Sequence, residues 1–285
     1  MNKRRLSALL LTLALLLSLA ACDVSWLIDL PVSAPAGGLA VHFIDVGQGD
    51  CELIEAQGHF LLIDGGERGN EEKVIKYLRQ QGVEKLDYVV STHPHSDHMG
   101  GLAYGVLAAF PVGTVIAPRF SPENTPTTQT YEKFLDAVTG LAANGTAAKY
   151  ARPGDVYPLG EASFTILGPL KEDGRNYNND SVILRVEYQS RAALFMGDAE
   201  KPVEAALVAA YGAGLRADLL KAGHHGSKTS SNEDFLRAVL PGDIVISCGV
   251  GNSYGHPSAE VLSRCGALGI RVSRTDIDGT VVIYL

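Results

Sequence analysis

Cysteine is scarce in this 285-residue chain, and one of its four cysteines stands apart from the others. Cys22 closes an N-terminal apolar run, which leaves Cys51, Cys248 and Cys265. An odd set cannot pair completely, so a disulfide scaffold is excluded. Cys51 and Cys248 lie in apolar, strand-like runs and read as small core residues; nothing in the sequence supports a Cys248–Cys265 bridge. Positive charge is also short: 24 Lys and Arg stand against 32 Asp and Glu, a formal charge of −8. Broad nucleic-acid binding runs on phosphate neutralisation by Lys and Arg. The acidic balance therefore argues against a processive or non-specific nuclease, and leaves small phosphodiesters and short single strands open. Beyond residue 19 there is no long apolar run, no internal repeat and no second linker. The roughly 245 residues from Leu39 to Leu285 are enough for one large domain.

The N-terminus reads as an address. Lys3, Arg4 and Arg5 precede the apolar run Leu6 to Leu19, and Leu19-Ala20-Ala21-Cys22 has the form of a lipobox. The run has the length of a signal-peptide core and is short for a membrane span. Residues 1–21 are expected to be a lipoprotein signal peptide, with an ordinary signal peptide or an uncleaved anchor as alternatives. In each case the remainder is extracytoplasmic. Lipid on Cys22 would hold it to the outer face of the bacterial cell membrane. Loss of residues 1–21 removes three basic side chains and no acidic one, so the mature chain is more acidic still. Residues 22–38, with Pro31, Pro35, Gly37 and Gly38, form a tether without periodicity. Residues 39–285 form the domain.

Strands come first in that domain, then strands alternate with helices. Ala40–Ile44, Cys51–Glu55 and Phe60–Ile63 read as strands between Gly-rich turns. Glu71–Gln81 places Val74, Ile75 and Leu78 at helical spacing. Leu86–Ser91, Ala162–Leu167, Val182–Tyr188, Ala192–Met196, Asp218–Lys221, Ile244–Ser247 and Val281–Tyr284 read as strands. Leu102–Phe110, Tyr131–Asn144, Pro202–Tyr211, Glu233–Leu240 and Ser258–Cys265 read as helices. Pro118–Thr130 is a polar loop close to the motif described next. Two sheets faced by helices would bury the apolar runs and gather functional loops at strand ends.

The densest signal is His93-Pro94-His95-Ser96-Asp97-His98, immediately after the strand from Leu86. Four ligand-type side chains within six residues suit a borderline divalent metal such as Zn²⁺. Two further strands end in ligand types: Leu194-Phe195-Met196-Gly197-Asp198, and Leu219-Leu220-Lys221-Ala222-Gly223-His224-His225. Asp198 alone could equally cap the helix that follows.

These stretches resemble the metallo-β-lactamase superfamily, and more narrowly the soluble hydrolase domain of ComEC-type DNA-uptake proteins. The resemblance is carried by Phe43-Ile44-Asp45-Val46-Gly47-Gln48-Gly49-Asp50, Leu62-Ile63-Asp64-Gly65-Gly66, Thr92 to Gly101, Asn178-Asn179-Asp180-Ser181-Val182, Gly197-Asp198, Leu220 to Ser230, Asn252 to Ser258 and Arg274 to Thr280. It implies an αββα four-layer sandwich and two divalent metal ions, Zn or Mn. His93 and His95 would hold one ion. Asp97, His98 and a histidine of the 224–225 pair would hold the other, with Asp198 bridging. His224 is expected as the ligand, and His225 as an outer or phosphate-contacting group. Asp64 either orients a metal-binding histidine or merely forms a turn.

One feature departs from the superfamily pattern. Many members supply a third histidine to the first ion, and no histidine lies between His98 and His224. Asn178 or Asn179 stands there, able to offer a weak carbonyl ligand or hold a water, so the first site is looser or suits a harder metal. The expected reaction is attack by a metal-activated water on phosphorus or a carbonyl carbon. Asp97 would position the nucleophile, and His256 would act as general acid or phosphate donor or merely form a turn. Lys221, Ser227, Lys228 and Thr229 would contact phosphate, with Lys228 equally readable as a solvated surface charge. The expected substrate is a phosphodiester, with single-stranded DNA as one candidate, and no protein partner is inferred. The alternatives are another hydrolase of this fold, cutting a phosphorylcholine ester, a lactone or a β-lactam, or a non-catalytic surface binder that keeps a metal.

Overall fold

A computed structural model describes residues 38–174 and 176–285. The expected signal peptide and tether, with Cys22, lie outside them. Among the described residues, fourteen strands form two mixed seven-stranded sheets. Sheet one runs β14-β1-β2-β3-β4-β5-β6: Val281–Tyr284, Leu39–Phe43, Glu52–Ala56, His59–Ile63, Leu86–Val90, Val112–Ala117 and Ala147–Tyr150. Sheet two runs β13-β12-β11-β10-β9-β8-β7: Arg271–Arg274, Asp243–Ile246, Leu219–Lys221, Arg191–Phe195, Ile183–Tyr188, Ala162–Gly168 and Val156–Leu159.

The alternation of side chains along each strand decides what packs where. Val41, Phe43, Ile54, Leu61 and Ile63 point from sheet one toward Phe164, Ile166, Leu184, Ala193 and Phe195 of sheet two. Phe43 stacks on Phe195 across this interior, with ring centroids 6.2 Å apart. The opposite face of sheet one, with Leu53, Leu62 and Val89, is covered by α1 (Glu71–Gln80) and by the helical stretch from α2 (Ser96–Gly101) through a π-helical turn (Leu102–Val106) to α3 (Leu107–Ala109). Phe134 of α4 (Gln129–Ala143) completes that layer. The outer face of sheet two, with Leu194, Leu220 and Ile244, is covered by Leu207 of α5 (Lys201–Tyr211), Phe235 of α6 (Glu233–Val239) and Val261 of α7 (Ala259–Ala267). A short α8 (Thr275–Asp278) precedes β14. These are the four layers αββα. Cys51, Cys248 and Cys265 are free and buried. Among the described residues no helix is long and apolar enough to cross a membrane.

The two halves share one plan that the sequence shows no repeat of. β1–β3 pair antiparallel, then β4, β5 and β6 are added in parallel. β7–β10 pair antiparallel, then β11, β12 and β13 are added in parallel. Parallel neighbours put strand carboxyl ends on one edge, the usual place for a ligand site in such sheets. Asp64 follows β3, His93 to His98 follow β4, Asp198 follows β10, the His224-His225 pair follows β11 and Ser247 follows β12.

Candidate metal centre

The loop after β4 is built around a carboxylate from its neighbour. Asp64, fully buried, accepts hydrogen bonds from the Thr92 backbone N–H at 2.8 Å and the Thr92 hydroxyl at 2.6 Å. Its Oδ2 also lies 2.8 Å from His98 Nδ1. Burial raises the Asp64 pKa against these bonds, which favour the ionised form. A hydrogen bond to Asp64 fixes the His98 ring and leaves Nε2 to face the centre. Asp64 thus stands in the orienting position, one of the two roles open to it, and its φ of 55° also makes it a turn residue.

His98 Nε2 meets three groups from other loops. It lies 3.3 Å from His225 Nε2, 3.3 Å from Asp198 Oδ1 and 3.9 Å from Asp97 Oδ2. His225 is anchored through Nδ1, 3.0 Å from the Ser247 carbonyl and 3.2 Å from Asp50 Oδ1. Its Nε2 is 3.2 Å from Asp97 Oδ2 and 3.5 Å from Asp198 Oδ1. Burial disfavours a charged His225, but the carboxylates of Asp198 and Asp50 outweigh it and push its pKa up to about 10. His98 is raised well above the ordinary range in the same way, by Asp198, Asp97 and Asp50 against burial. Burial opposes ionisation of Asp97 and Asp198, yet imidazoles hold both below the usual carboxylate range, His98 acting first on Asp97 and His225 first on Asp198. Such a nest of buried carboxylates binds either protons or a cation.

Asp198 faces two ways. Its Oδ1 turns toward His98 and His225, while Oδ2 lies 3.7 Å from His93 Nε2. His93 Nε2 and His95 Nδ1 are 3.0 Å apart. Burial drives the His93 pKa well down, so the ring is neutral with lone pairs to offer. Two groups of ligand atoms result, the atoms within each lying within 4.8 Å of one another: Asp50, His98, Asp198 and His225, and His93, His95 and Asp198. Asp198 belongs to both. Its Oδ1 is buried without a hydrogen-bond partner, an unmet acceptor that a divalent ion would satisfy. The donor set of imidazole and carboxylate fits Zn²⁺ or Mn²⁺.

Three expectations are corrected. The histidine pair is placed the other way round: both residues are left-handed, with φ of 48° and 52°, and the turn aims His225 inward. His224 is partly exposed, its Nδ1 3.3 Å from Glu200 Oε1 and its Nε2 no closer than 3.8 Å to Asp198. Lys221 is not free for phosphate, because it is 1% exposed and its Nζ lies 2.5 Å from Asp50 Oδ2. Lys228 is exposed and is not among the residues lining the cavity above the centre. Ser227 and Thr229 bond to each other, and Thr229 also donates to Glu200.

That cavity, about 330 Å³, has His95, Asp97, Asp198 and His225 at its base and Gln48, Asn178, Tyr254 and His256 among its walls. The His256 ring centroid lies 5.3 Å from that of His224, and its Nδ1 is buried without a partner. Burial, then His224 and His225, lower its pKa to about 4. Tyr254 is 70% exposed and stacks on His256 with centroids 5.7 Å apart. The 118–130 loop stands behind the wall: Phe120 packs on Tyr177, which in turn touches His95.

Asp50 carries weight that sequence reasoning did not assign to it. Its carboxylate is reached by Lys221, His225 and His98. Burial raises its pKa, and those cations outweigh the penalty and hold it low. The signal was present, an acid closing Gly47-Gln48-Gly49-Asp50 at a strand end. Gly49 is required there: its φ is +132°, and a Cβ would sit 2.2 Å from the Asp97 carbonyl oxygen. That close approach lets the Asp50 N–H donate to the same carbonyl at 3.1 Å.

A profile of the Metallo-beta-lactamase superfamily matches residues 44–250. ComE operon protein 3 of Bacillus subtilis (strain 168) is 31% identical over 98% of this chain and 36% of its own length. Competence protein ComA of Neisseria gonorrhoeae is 32% identical over 87% of this chain and 33% of its own. The chain thus spans about a third of these curated relatives. Among solved structures, CmlA, a diiron beta-hydroxylase from Streptomyces venezuelae, has the same fold with a TM-score of 0.57 at 15% identity, covering 87% of this chain and 54% of CmlA.

Proposed function

The chain belongs to the metallo-beta-lactamase superfamily, and on that premise we propose that it is a metal-dependent phosphodiesterase working outside the cytoplasm, held to the membrane by lipid on Cys22. Members of this superfamily are mostly metal-dependent hydrolases, and curated relatives of this chain are competence proteins. The observation that carries the reading is Asp198, one carboxylate turned toward two ligand groups at the base of an open polar cavity.

Divalent ions bound there supply Lewis-acid polarisation of a phosphoryl oxygen and a water acidified toward neutral pH. The chain's residues do the rest. Asp64 and the Ser247 carbonyl engage the Nδ1 atoms of His98 and His225, so that each Nε2 faces the centre and would offer its lone pair to an ion that displaces its proton. Asp97, ionised and lining the cavity, accepts a proton-bearing bond from the attacking water and fixes its line of approach. His256 is neutral at physiological pH, so it acts as a hydrogen-bond donor to a phosphoryl or leaving-group oxygen and not as a cationic acid. No lysine or arginine lines the cavity among the described residues. Phosphate would therefore be held by bound ions and neutral donors, which suits small diesters and short single strands in an acidic protein. The exposed face of Tyr254 gives a base or aryl group a surface to stack on.

A panel run on metal-loaded protein tests this: bis-aryl phosphate, single-stranded DNA, an aryl phosphorylcholine, a lactone and nitrocefin. Turnover of the first two is expected. Turnover of lactone or nitrocefin with the phosphodiesters untouched assigns another hydrolase of this fold.

A further inference from the structure

We propose that the side-chain carbonyl of Asn178 is a protein ligand of the ion at His93 and His95. The inference rests on metal binding at that group and is independent of the substrate. Asn178 lies in the 3-10 turn Tyr177–Asp180, where its N–H donates to the Asn176 side chain at 3.1 Å. The turn leaves Asn178 8% exposed in the wall of the cavity that His95 and Asp198 also line, with Oδ1 buried and without a hydrogen-bond partner. An unmet buried carbonyl costs about 1–3 kcal/mol, so its retention calls for a partner that binds in the cavity. Two further buried atoms of residues lining the same cavity lack partners, Asp198 Oδ1 and His256 Nδ1.

Asn179 does not compete. Its Nδ2 donates to Asp173 at 2.9 Å, and its Oδ1 accepts from the Glu200 N–H at 3.2 Å. Ser181 Oγ accepts from the Asp198 N–H at 3.1 Å. Asn178 is the one residue of the Asn178–Ser181 segment that lines the cavity. The resulting donor set is two imidazoles, a shared carboxylate and a neutral amide oxygen. Exchanging a nitrogen donor for a hard oxygen weakens the preference for Zn²⁺ and favours Mn²⁺ relative to a three-histidine site.

The test measures Mn²⁺ and Zn²⁺ stoichiometry and dissociation constants on the whole stripped chain, by elemental analysis, calorimetry and Mn²⁺ electron paramagnetic resonance. Asn178→Ala is expected to weaken one ion by about tenfold or more, the scale on which even outer-shell partners act, and to leave the other unchanged. Asn178→His should shift that ion's preference toward Zn²⁺. Asn178→Asp, nearly isosteric, should retain Mn²⁺ and decides the matter should the alanine variant unfold; an altered Mn²⁺ resonance with retained binding supports the proposal. Constants within twofold of wild type and unaltered resonance in folded Asn178→Ala or Asn178→Asp overturn it. So does a wild type whose stoichiometry is unchanged by His93→Ala, which would mean no ion binds there. Absence of phosphodiester turnover would leave these constants as decisive as before.

Discussion

Lys221→Met should destabilise the protein by about 3 kcal/mol, although the substituted side chain is apolar and of similar length. Lys221 and Asp50 are each 1% exposed, and the ammonium lies 2.5 Å from the carboxylate and donates to the Ala222 carbonyl at 2.8 Å. Lys221 belongs to sheet two and Asp50 to the loop after β1 of sheet one, so the contact ties the sheets together beneath the metal groups. Removing one partner of a buried pair costs about 3–5 kcal/mol, because the other charge stays buried and uncompensated. Asp50 keeps His225 at 3.2 Å and His98 at 3.7 Å, which places the loss at the lower end. For a domain of this size that is a fall in Tm of roughly 6–12 °C. Circular-dichroism melts and urea titrations, with and without metal, read it directly. Combining Lys221→Met with Asp50→Asn should recover part of the loss, a coupling that a double-mutant cycle isolates. A single variant within about 0.5 kcal/mol of wild type would refute the buried-pair argument.

Other outcomes follow from the same structure. Glu204 of α5 is fully buried against the Ser231 and Asn232 N–H groups, and burial raises its pKa from 4.5 to about 7. The folded state keeps this proton where the unfolded chain has lost it, so stability falls by about 3 kcal/mol as pH rises from about 4.5 to 7. Glu204→Gln should flatten that slope in urea titrations, and an unchanged slope would contradict the assignment. Elemental analysis of His225→Ala should show one bound ion lost, whereas His224→Ala should keep full stoichiometry; the opposite result would restore the expected order. Tyr254→Ala should raise KM for single-stranded DNA by at least about fivefold, since base stacking is worth about 1–3 kcal/mol, and leave KM for a dialkyl phosphate unchanged.

The parts of the site that are local in sequence were legible there. His93 to His98 announce themselves, and the strands carrying Asp198 and the histidine pair are buried apolar runs. Three of the four sheet edges were not legible. β6 is exposed at all four residues and β13 reads Arg-Val-Ser-Arg, so neither has an alternating apolar face, while Pro158 breaks the short run of β7 although Tyr157 and Leu159 are buried on one side. β5 was missed beside them because Gly113 interrupts its run. The order of His224 and His225 depends on two successive left-handed residues, a backbone property that side-chain types do not announce. Lys221 was misread for a related reason. A lysine inside Leu219-Leu220-Lys221-Ala222 is a cation in a buried strand, and its partner Asp50 is far away in the chain.

Initial-rate hydrolysis of a bis-aryl phosphate by the metal-loaded chain, beside Asp198→Ala at equal protein concentration, tests the central claim most directly. Turnover that needs added Zn²⁺ or Mn²⁺, stops with a chelator and falls by at least about a hundredfold in Asp198→Ala, some 2.7 kcal/mol, is the predicted result. A fully loaded wild type without turnover, or an Asp198→Ala variant as active as wild type, would contradict it.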